Sequence, residues 1–268
     1  MATTATKTSA STKTNALELI QQRLPETPEA FVFYSWCVRP LLFLPFLLAG
    51  LASANPVVLL HGLARSSSSM EEMVGKLETA GFQICNIDYP SRKHLIDTLV
   101  QRFVLPEIQR CFPGNAQPVN FVTHSLGGIL VRRLAVLHPE FQIGRVVMLS
   151  PPNQGSEVVD KLGGGWWFKK FNGPAGNQLG TDSNSVPLRL PTPSFEFGVL
   201  AGTRSLDPIS SWLIPGDDDG KVSLKRMRLE GMKDYREIAA THTYIMRDNE
   251  AIRQTIRFLK TGSFSSKN

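Results

Sequence analysis

Cysteine is scarce in this chain. Three occur among 268 residues, at positions 37, 85 and 111, and none stands at C-x-x-C spacing or opposite a histidine at metal-ligand spacing. A metal site built on cysteine therefore finds no support. Cys85 and Cys111 read as two buried thiols, with a disulfide between them as the alternative in an oxidising compartment. Histidine is nearly as scarce, with five residues, so any reaction that needs an imidazole has few candidates. No apolar run reaches, without a break, the roughly 20 residues that a membrane span requires. No internal repeat is visible. Lys and Arg outnumber Asp and Glu by 29 to 23, and the formal net charge is +6. The cations are scattered, and no basic stripe interleaved with aromatics marks a nucleic-acid surface. A basic surface does suit transient contact with an anionic lipid interface.

What is present is globular. Apolar residues make up 42% and charged residues 19%, enough to bury one sizeable core in a single domain. The first 54 residues stand apart. Residues 1–16 are Ala, Thr, Ser and Lys with no acid before Glu18, a composition that cannot build a core. Phe31 to Ala54 is strongly apolar, interrupted by Arg39, Pro40 and Pro45, and it closes on Ala52-Ser53-Ala54. A basic residue, a short apolar run and a small-x-small site resemble a secretory signal, with removal expected after Ala54. This predicts an exported protein, with an organelle lumen or an anchor through 31–54 as alternatives.

From Asn55 the chain alternates. Short apolar runs at Val57–Leu60, Phe82–Ile87, Val119–Val122 and Ile143–Leu149 read as buried parallel strands. Helical periodicity fills the gaps, at about 66–80, 96–111 (with Pro106 kinking or dividing it) and from Ile129 to Leu137, where Arg132 and Arg133 fall on another face. Further strands are predicted at Phe195–Ala201 and Tyr235–Ala239, and a last helix at Asn249–Leu259. This rhythm predicts a parallel sheet with helices on both faces and a site at the carboxyl ends of the strands. The stretch from about 153 to 194 breaks the rhythm with three consecutive glycines, Trp166-Trp167-Phe168 and several prolines. It reads as an irregular lid, with Trp166 and Trp167 lining a substrate pocket or touching lipid. The alternative is that these aromatics pack the loop onto the body.

One junction carries chemistry. An apolar strand stops at Thr123-His124-Ser125-Leu126-Gly127-Gly128 and a helix begins at once. A serine on such a tight turn is presented outward beside free helix N–H groups. Thr123 departs from the glycine usual two residues earlier, a position that faces the start of the helix. A serine hydroxyl needs a neighbouring base, and the base needs an orienting carboxylate. His242 follows the last strand, whereas the other histidines lie in turns or helices away from that position. For the acid, Asp217, Asp218 and Asp219 share the right loop and Asp207 precedes them. Asp219 is preferred because Gly220 turns the chain and Val222 anchors it, and Asp217 is the runner-up. The oxyanion donors are expected to be the N–H groups of Leu126, after the serine, and Leu63, in the first strand–helix loop.

Five stretches together carry a resemblance: Val57-Val58-Leu59-Leu60-His61-Gly62-Leu63, the Ser125 junction, Ser150-Pro151-Pro152-Asn153-Gln154-Gly155-Ser156, Asp219-Gly220-Lys221-Val222 and Thr241-His242-Thr243. They resemble the α/β-hydrolase lipases and esterases, in particular the bacterial-type triacylglycerol lipase-like group, in which threonine also occurs at the first position of the elbow. The resemblance implies the α/β-hydrolase fold over residues 55–268, with a sheet of about six strands because the leader occupies the place of two further strands. It also implies a Ser125–Asp219–His242 triad and cleavage of carboxylic esters without a cofactor. The expected substrates are lipid-like acyl esters, and the protein is expected to be a monomer without a metal. Acyl transfer to an alcohol on the same triad is one alternative. A non-catalytic lipid-binding protein on the same scaffold is another.

Overall fold

The structure, a computed structural model, describes residues 55–268 apart from 115–116, 164–165, 207–210, 213 and 265–268. The side chains of 162–169 and 171 are also outside it. The expected leader, residues 1–54, lies outside the described residues.

Six strands form one sheet: β1 (Pro56–Leu60), β2 (Gln83–Ile87), β3 (Val119–His124), β4 (Ile143–Leu149), β5 (Phe197–Arg204) and β6 (Asp234–Thr241). Their order is β2-β1-β3-β4-β5-β6, and every neighbouring pair is parallel. Strand β1 and the middle parts of β3 (Phe121, Val122), β4 (Val146–Leu149) and β5 (Phe197–Ala201) carry no polar side chain because both faces of the sheet are covered. Val58, Leu60 and Phe121 enter one core layer, while Val57, Leu59 and Val122 enter the other. The helices are α1 (Glu71–Thr79), α2 (Ile96–Leu99), α3 (Leu105–Cys111), α4 (Leu126–Leu137), α5 (Glu157–Gly163), α6 (Trp166–Asn177), α7 (Val186–Arg189), α8 (Leu224–Met227) and α9 (Asn249–Thr261). None of them is long and apolar enough to cross a membrane. The chain reverses its winding at β1, which has β2 on one side and β3 on the other. The carboxyl ends of β1 and β3 therefore flank the crevice where a parallel sheet places its ligands.

Two expectations change and a third, the division of a helix at Pro106, is refined. The stretch from 153 to 194 is not irregular, since it contains α5, α6 and α7. Its glycines and prolines punctuate helices rather than abolish them: non-helical Gly173 and Pro174 form a kink within α6. The helix predicted over 96–111 widens into a π-helical turn at Val100–Val104 before α3. Pro106, in the first turn of α3, explains the break, because it has no N–H and its ring crowds the carbonyl four residues earlier. Finally, Cys85 of β2 and Cys111 at the end of α3 are joined in a disulfide, with Cα atoms 6.0 Å apart, and are not free thiols.

That bond ties the edge strand β2 to the helical layer. Replacing both cysteines by alanine is expected to cost about 3–4 kcal/mol of unfolding free energy, from the entropy of closing a loop with a sequence separation of 26. A urea titration checks this: the midpoint falls if the bond stabilises the fold, and an unchanged midpoint refutes it.

Candidate active site

Ser125 lies between β3 and α4 at φ 50°, ψ −116°, a backbone conformation that non-glycine residues rarely hold. The surroundings enforce it. Its N–H donates to the Leu149 carbonyl (2.9 Å) at the end of β4. Helix α4 begins so close to β1 that a Cβ on Gly127 would stand 2.5 Å from the Leu60 carbonyl oxygen. Thr123 is buried and fits because its hydroxyl donates to the Val147 carbonyl at 3.4 Å. Leu126 opens α4, where first-turn N–H groups have no partner inside the helix.

His242 follows β6. Its Nε2 stands 3.1 Å from Ser125 Oγ, and its Nδ1–H donates to Asp219 Oδ2 at 2.7 Å. Asp219 is 1% exposed, and its other carboxylate oxygen accepts from the N–H groups of Lys221 (3.0 Å) and Val222 (2.9 Å). These bonds fix the orientation of the carboxylate. The structure thus brings Asp219 to His242. Asp217 is exposed, and Asp218 turns away to accept from Gly220 N–H and Ser211 Oγ. Asp207 lies outside the described residues.

The loop after β1 is locked by His61. The ring is buried and stacks on Tyr89, with centroids 4.0 Å apart. Its Nδ1–H donates to the Gly62 carbonyl (2.8 Å), and its Nε2 accepts from Tyr89 N–H (3.3 Å). Tyr89 Oη–H donates to the His61 carbonyl. Burial lowers the His61 pKa and outweighs the nearby Asp88, so the ring stays neutral in this tautomer. Gly62 must be glycine: a Cβ there would meet His124 Nδ1 at 2.6 Å. Leu63, next in line, borders a cavity of about 220 Å³ that opens on Ser125 and His242. Pro152, Val158, Val159, Leu179 and Val222 complete its aliphatic wall. The expectation that Trp166 and Trp167 bind substrate falls on side chains outside the described residues. The wall that is described comes instead from α5 and from the residues after α6.

No family model matches the chain. A curated relative, lysosomal thioesterase PPT2-B of Xenopus laevis, is 27% identical over 126 residues, 43% of this chain and 43% of the relative. The match therefore spans less than half of that protein. Among solved structures, the mature form of Bacillus licheniformis lipase BlEst2 aligns over 78% of this chain and 93% of its own, at 22% identity and TM-score 0.60. Phospholipase PlaB from Legionella pneumophila aligns over 79% of this chain and 60% of its own, at 17% identity and TM-score 0.62. The metagenomic carboxyl esterase MGS0156 aligns over 79% and 75%, at 17% identity and TM-score 0.58. The chain has the α/β-hydrolase fold.

Within this α/β-hydrolase frame two side chains matter for which the sequence offered no role. His124 is the residue immediately before the serine. Its Nε2–H donates to the His242 carbonyl at 2.8 Å. Burial, followed by the charge His242 would carry, holds its pKa well below the ordinary histidine value, so it is a neutral strut. Arg132, expected on a face of α4 away from the core, is buried. Its guanidinium donates to the carbonyls of Asn153 (2.9 Å), Pro187 (3.1 Å) and Leu190 (3.3 Å). Burial lowers its pKa to about 10, which leaves it charged at neutral pH. It fastens both ends of the helical insertion to the helix that follows Ser125. Arg133 does face outward, pairing with Asp97 at 2.7 Å.

Arg132→Met removes these bonds and strands three carbonyls. The expected loss is about 2–4 kcal/mol, the cost of leaving such groups unpaired. Amide hydrogen exchange is expected to accelerate around 186–190 before it does in β3 and β4. Uniform acceleration would show instead that Arg132 is not what fastens the insertion.

Proposed function

We propose that the protein is a carboxylic ester hydrolase that works through an acyl-enzyme on Ser125, with lipid-like acyl esters as substrates. One observation carries the reading: the continuous hydrogen-bonded line from Asp219 through His242 to Ser125 Oγ, at 2.7 and 3.1 Å, on the floor of an aliphatic cavity. Ser125 Oγ attacks the ester carbonyl while His242 Nε2 takes its proton. The carbonyl oxygen gathers charge facing the N–H groups of Leu126 and Leu63. The C–O bond to the alcohol then breaks, and His242 returns the proton to the departing oxygen. Water, deprotonated by His242, releases the carboxylic acid and restores Ser125. Throughout, the Asp219 carboxylate orients and stabilises the imidazolium. The aliphatic wall from α5 accepts the acyl chain, and the helical insertion acts as the lid on that side.

The disulfide supports an oxidising location, in keeping with export through the signal-like leader. A second reading, cleavage of thioesters, rests on the partial match to the lysosomal thioesterase. It uses the same residues, with a thiol leaving in place of an alcohol.

A fluorophosphonate probe is expected to label the wild type and not Ser125→Ala; full labelling of the alanine variant would remove Ser125 from the mechanism. With p-nitrophenyl esters, Asp219→Asn is expected to lower kcat by about 10³–10⁴-fold, since it spoils the tautomer of the base. Asp217→Asn is expected to stay near wild type. Comparable losses in the two variants would mean that the acid has been misassigned.

A further inference from the structure

The cavity over Ser125 has walls of two kinds. Most of the lining is aliphatic, as described. Among the described residues, the charged side chains that line it are Arg65 and Lys221, and no carboxylate joins them. Ala64 and Arg65 also border a second, more open groove that continues past Tyr89 and Ser91 to Arg92 and Lys93. Arg65, Arg92 and Lys93 are exposed. The acid bordering that groove is Asp88, which is engaged at its inner end: it accepts from Ser67 N–H at 3.0 Å and stands 3.5 Å from His61 Nε2.

The two loops bearing these cations are held together as one body. Ala64 N–H donates to Ser91 Oγ (3.1 Å). Tyr89 donates to His61 through both its N–H and its hydroxyl. Lys93 N–H closes a turn onto the Pro90 carbonyl (2.8 Å). From the other side, the kink at Gly173 packs onto Arg92 so closely that a Cβ there would overlap the Arg92 carbonyl. The cations are therefore displayed from a fixed backbone, and the first of them, Arg65, also lines the cavity of Ser125. A pocket lined by one sign of charge concentrates ligands of the other sign. A guanidinium also grips phosphate oxygens in pairs.

We propose that this groove receives the leaving part of the ester, and that this part carries a phosphate group. The acyl chain enters the aliphatic side of the cavity. The phosphorylated alcohol lies along Arg65 toward Arg92 and Lys93. This rests on the ester-hydrolase reading of Ser125 and narrows its substrate class. The chemistry fits a phospholipid headgroup in a membrane and a soluble phosphorylated alcohol alike.

The test uses matched substrates with the protein as it exists. In the soluble arm, kcat/KM for 1-octanoylglycerol 3-phosphate is compared with that for 1-octanoylglycerol. In the membrane arm, fatty-acid release from phosphatidylglycerol is compared with release from diacylglycerol, each embedded in vesicles of a diether phosphatidylcholine that has no ester to hydrolyse. A preference of about tenfold or more for the phosphate-bearing member is expected in at least one arm, falling as salt rises. The arm that shows it identifies the source of the phosphate. Arg65→Gln and the double variant Arg92→Gln, Lys93→Gln are each expected to reduce the ratio severalfold. Lys76→Gln, an exposed change on α1, is expected to leave the ratio as it is. Equal rates on both members in both arms, insensitive to salt, would overturn the proposal while leaving ester hydrolysis intact. No hydrolysis of any member, together with no fluorophosphonate labelling, would instead bring down the ester-hydrolase reading beneath it.

Discussion

The site depends on how one peptide unit is held. His242 sits in the loop after β6, where a side chain has several rotamers and a backbone has freedom to lose. Here its N–H donates to the Asp219 carbonyl at 2.9 Å, its carbonyl accepts from His124 Nε2–H at 2.8 Å, and its ring donates to the Asp219 carboxylate. Backbone and ring are thus fixed together, and only Nε2 is left to face Ser125. One of those anchors, His124, is the residue immediately before the serine. Any displacement of the elbow would therefore move the imidazole with it and preserve their separation. The strained backbone at Ser125 persists for a related reason: the bond to Leu149 and the close approach of α4 to β1 over-determine it.

The parts of this arrangement that could be read in the sequence are those with a local cause. Strands β1, β3 and β4 announce themselves as continuous apolar runs because the sheet is covered on both faces. Asp219 was separable from its two acidic neighbours because Gly220 and Val222 describe a turn followed by an anchor. The residues that were misread have distant causes. Arg132 looked like a solvent residue, since a charge within a helical period is normally outside, and its partners at 153, 187 and 190 leave no mark near it. Cys85 and Cys111 obey no spacing rule that would distinguish a bond from two thiols. The helices between β4 and β5 were concealed by glycine and proline. Even so, Ser156 followed by Glu157 is a helix-start signal that the sequence did contain.

That same stretch explains how the insertion and the acid loop come to be one unit. Asn153 receives Arg132 and donates to the Met227 carbonyl at 2.9 Å. Ser156 Oγ–H donates to the Lys221 carbonyl at 2.8 Å, two residues from Asp219. Glu157, buried, accepts from Arg226 at 2.6 Å and from Ser223 at 2.9 Å. The turn after β4 therefore clamps α4 on one side and the Asp219 loop on the other. A partly buried ion pair of this kind contributes little net stability when compared with a well-packed apolar pair, but it is specific about which segments meet. Here neither partner of the pair lines the cavity, whose charged side chains among the described residues are Arg65 and Lys221.

The loop after β1 has to meet two demands at once, and His61 is where they meet. Leu63 is the proposed oxyanion donor and Arg65, two residues on, is the proposed contact for the leaving group. Both depend on a loop whose shape is set by the neutral His61 ring between Tyr89 and Gly62. Protonation would turn Nε2 from an acceptor into a donor facing the Tyr89 N–H, and the bond between the two loops would become a repulsion. Burial works against that protonation. The carboxylate at Asp88 works for it, but lies at the edge of the solvent, where its field is weakened. The net result is an uncharged strut inside a cationic rim: the positive charge stays on flexible guanidinium and ammonium groups that can follow a ligand, while the backbone that must face the oxyanion is carried by a group that does not change its charge.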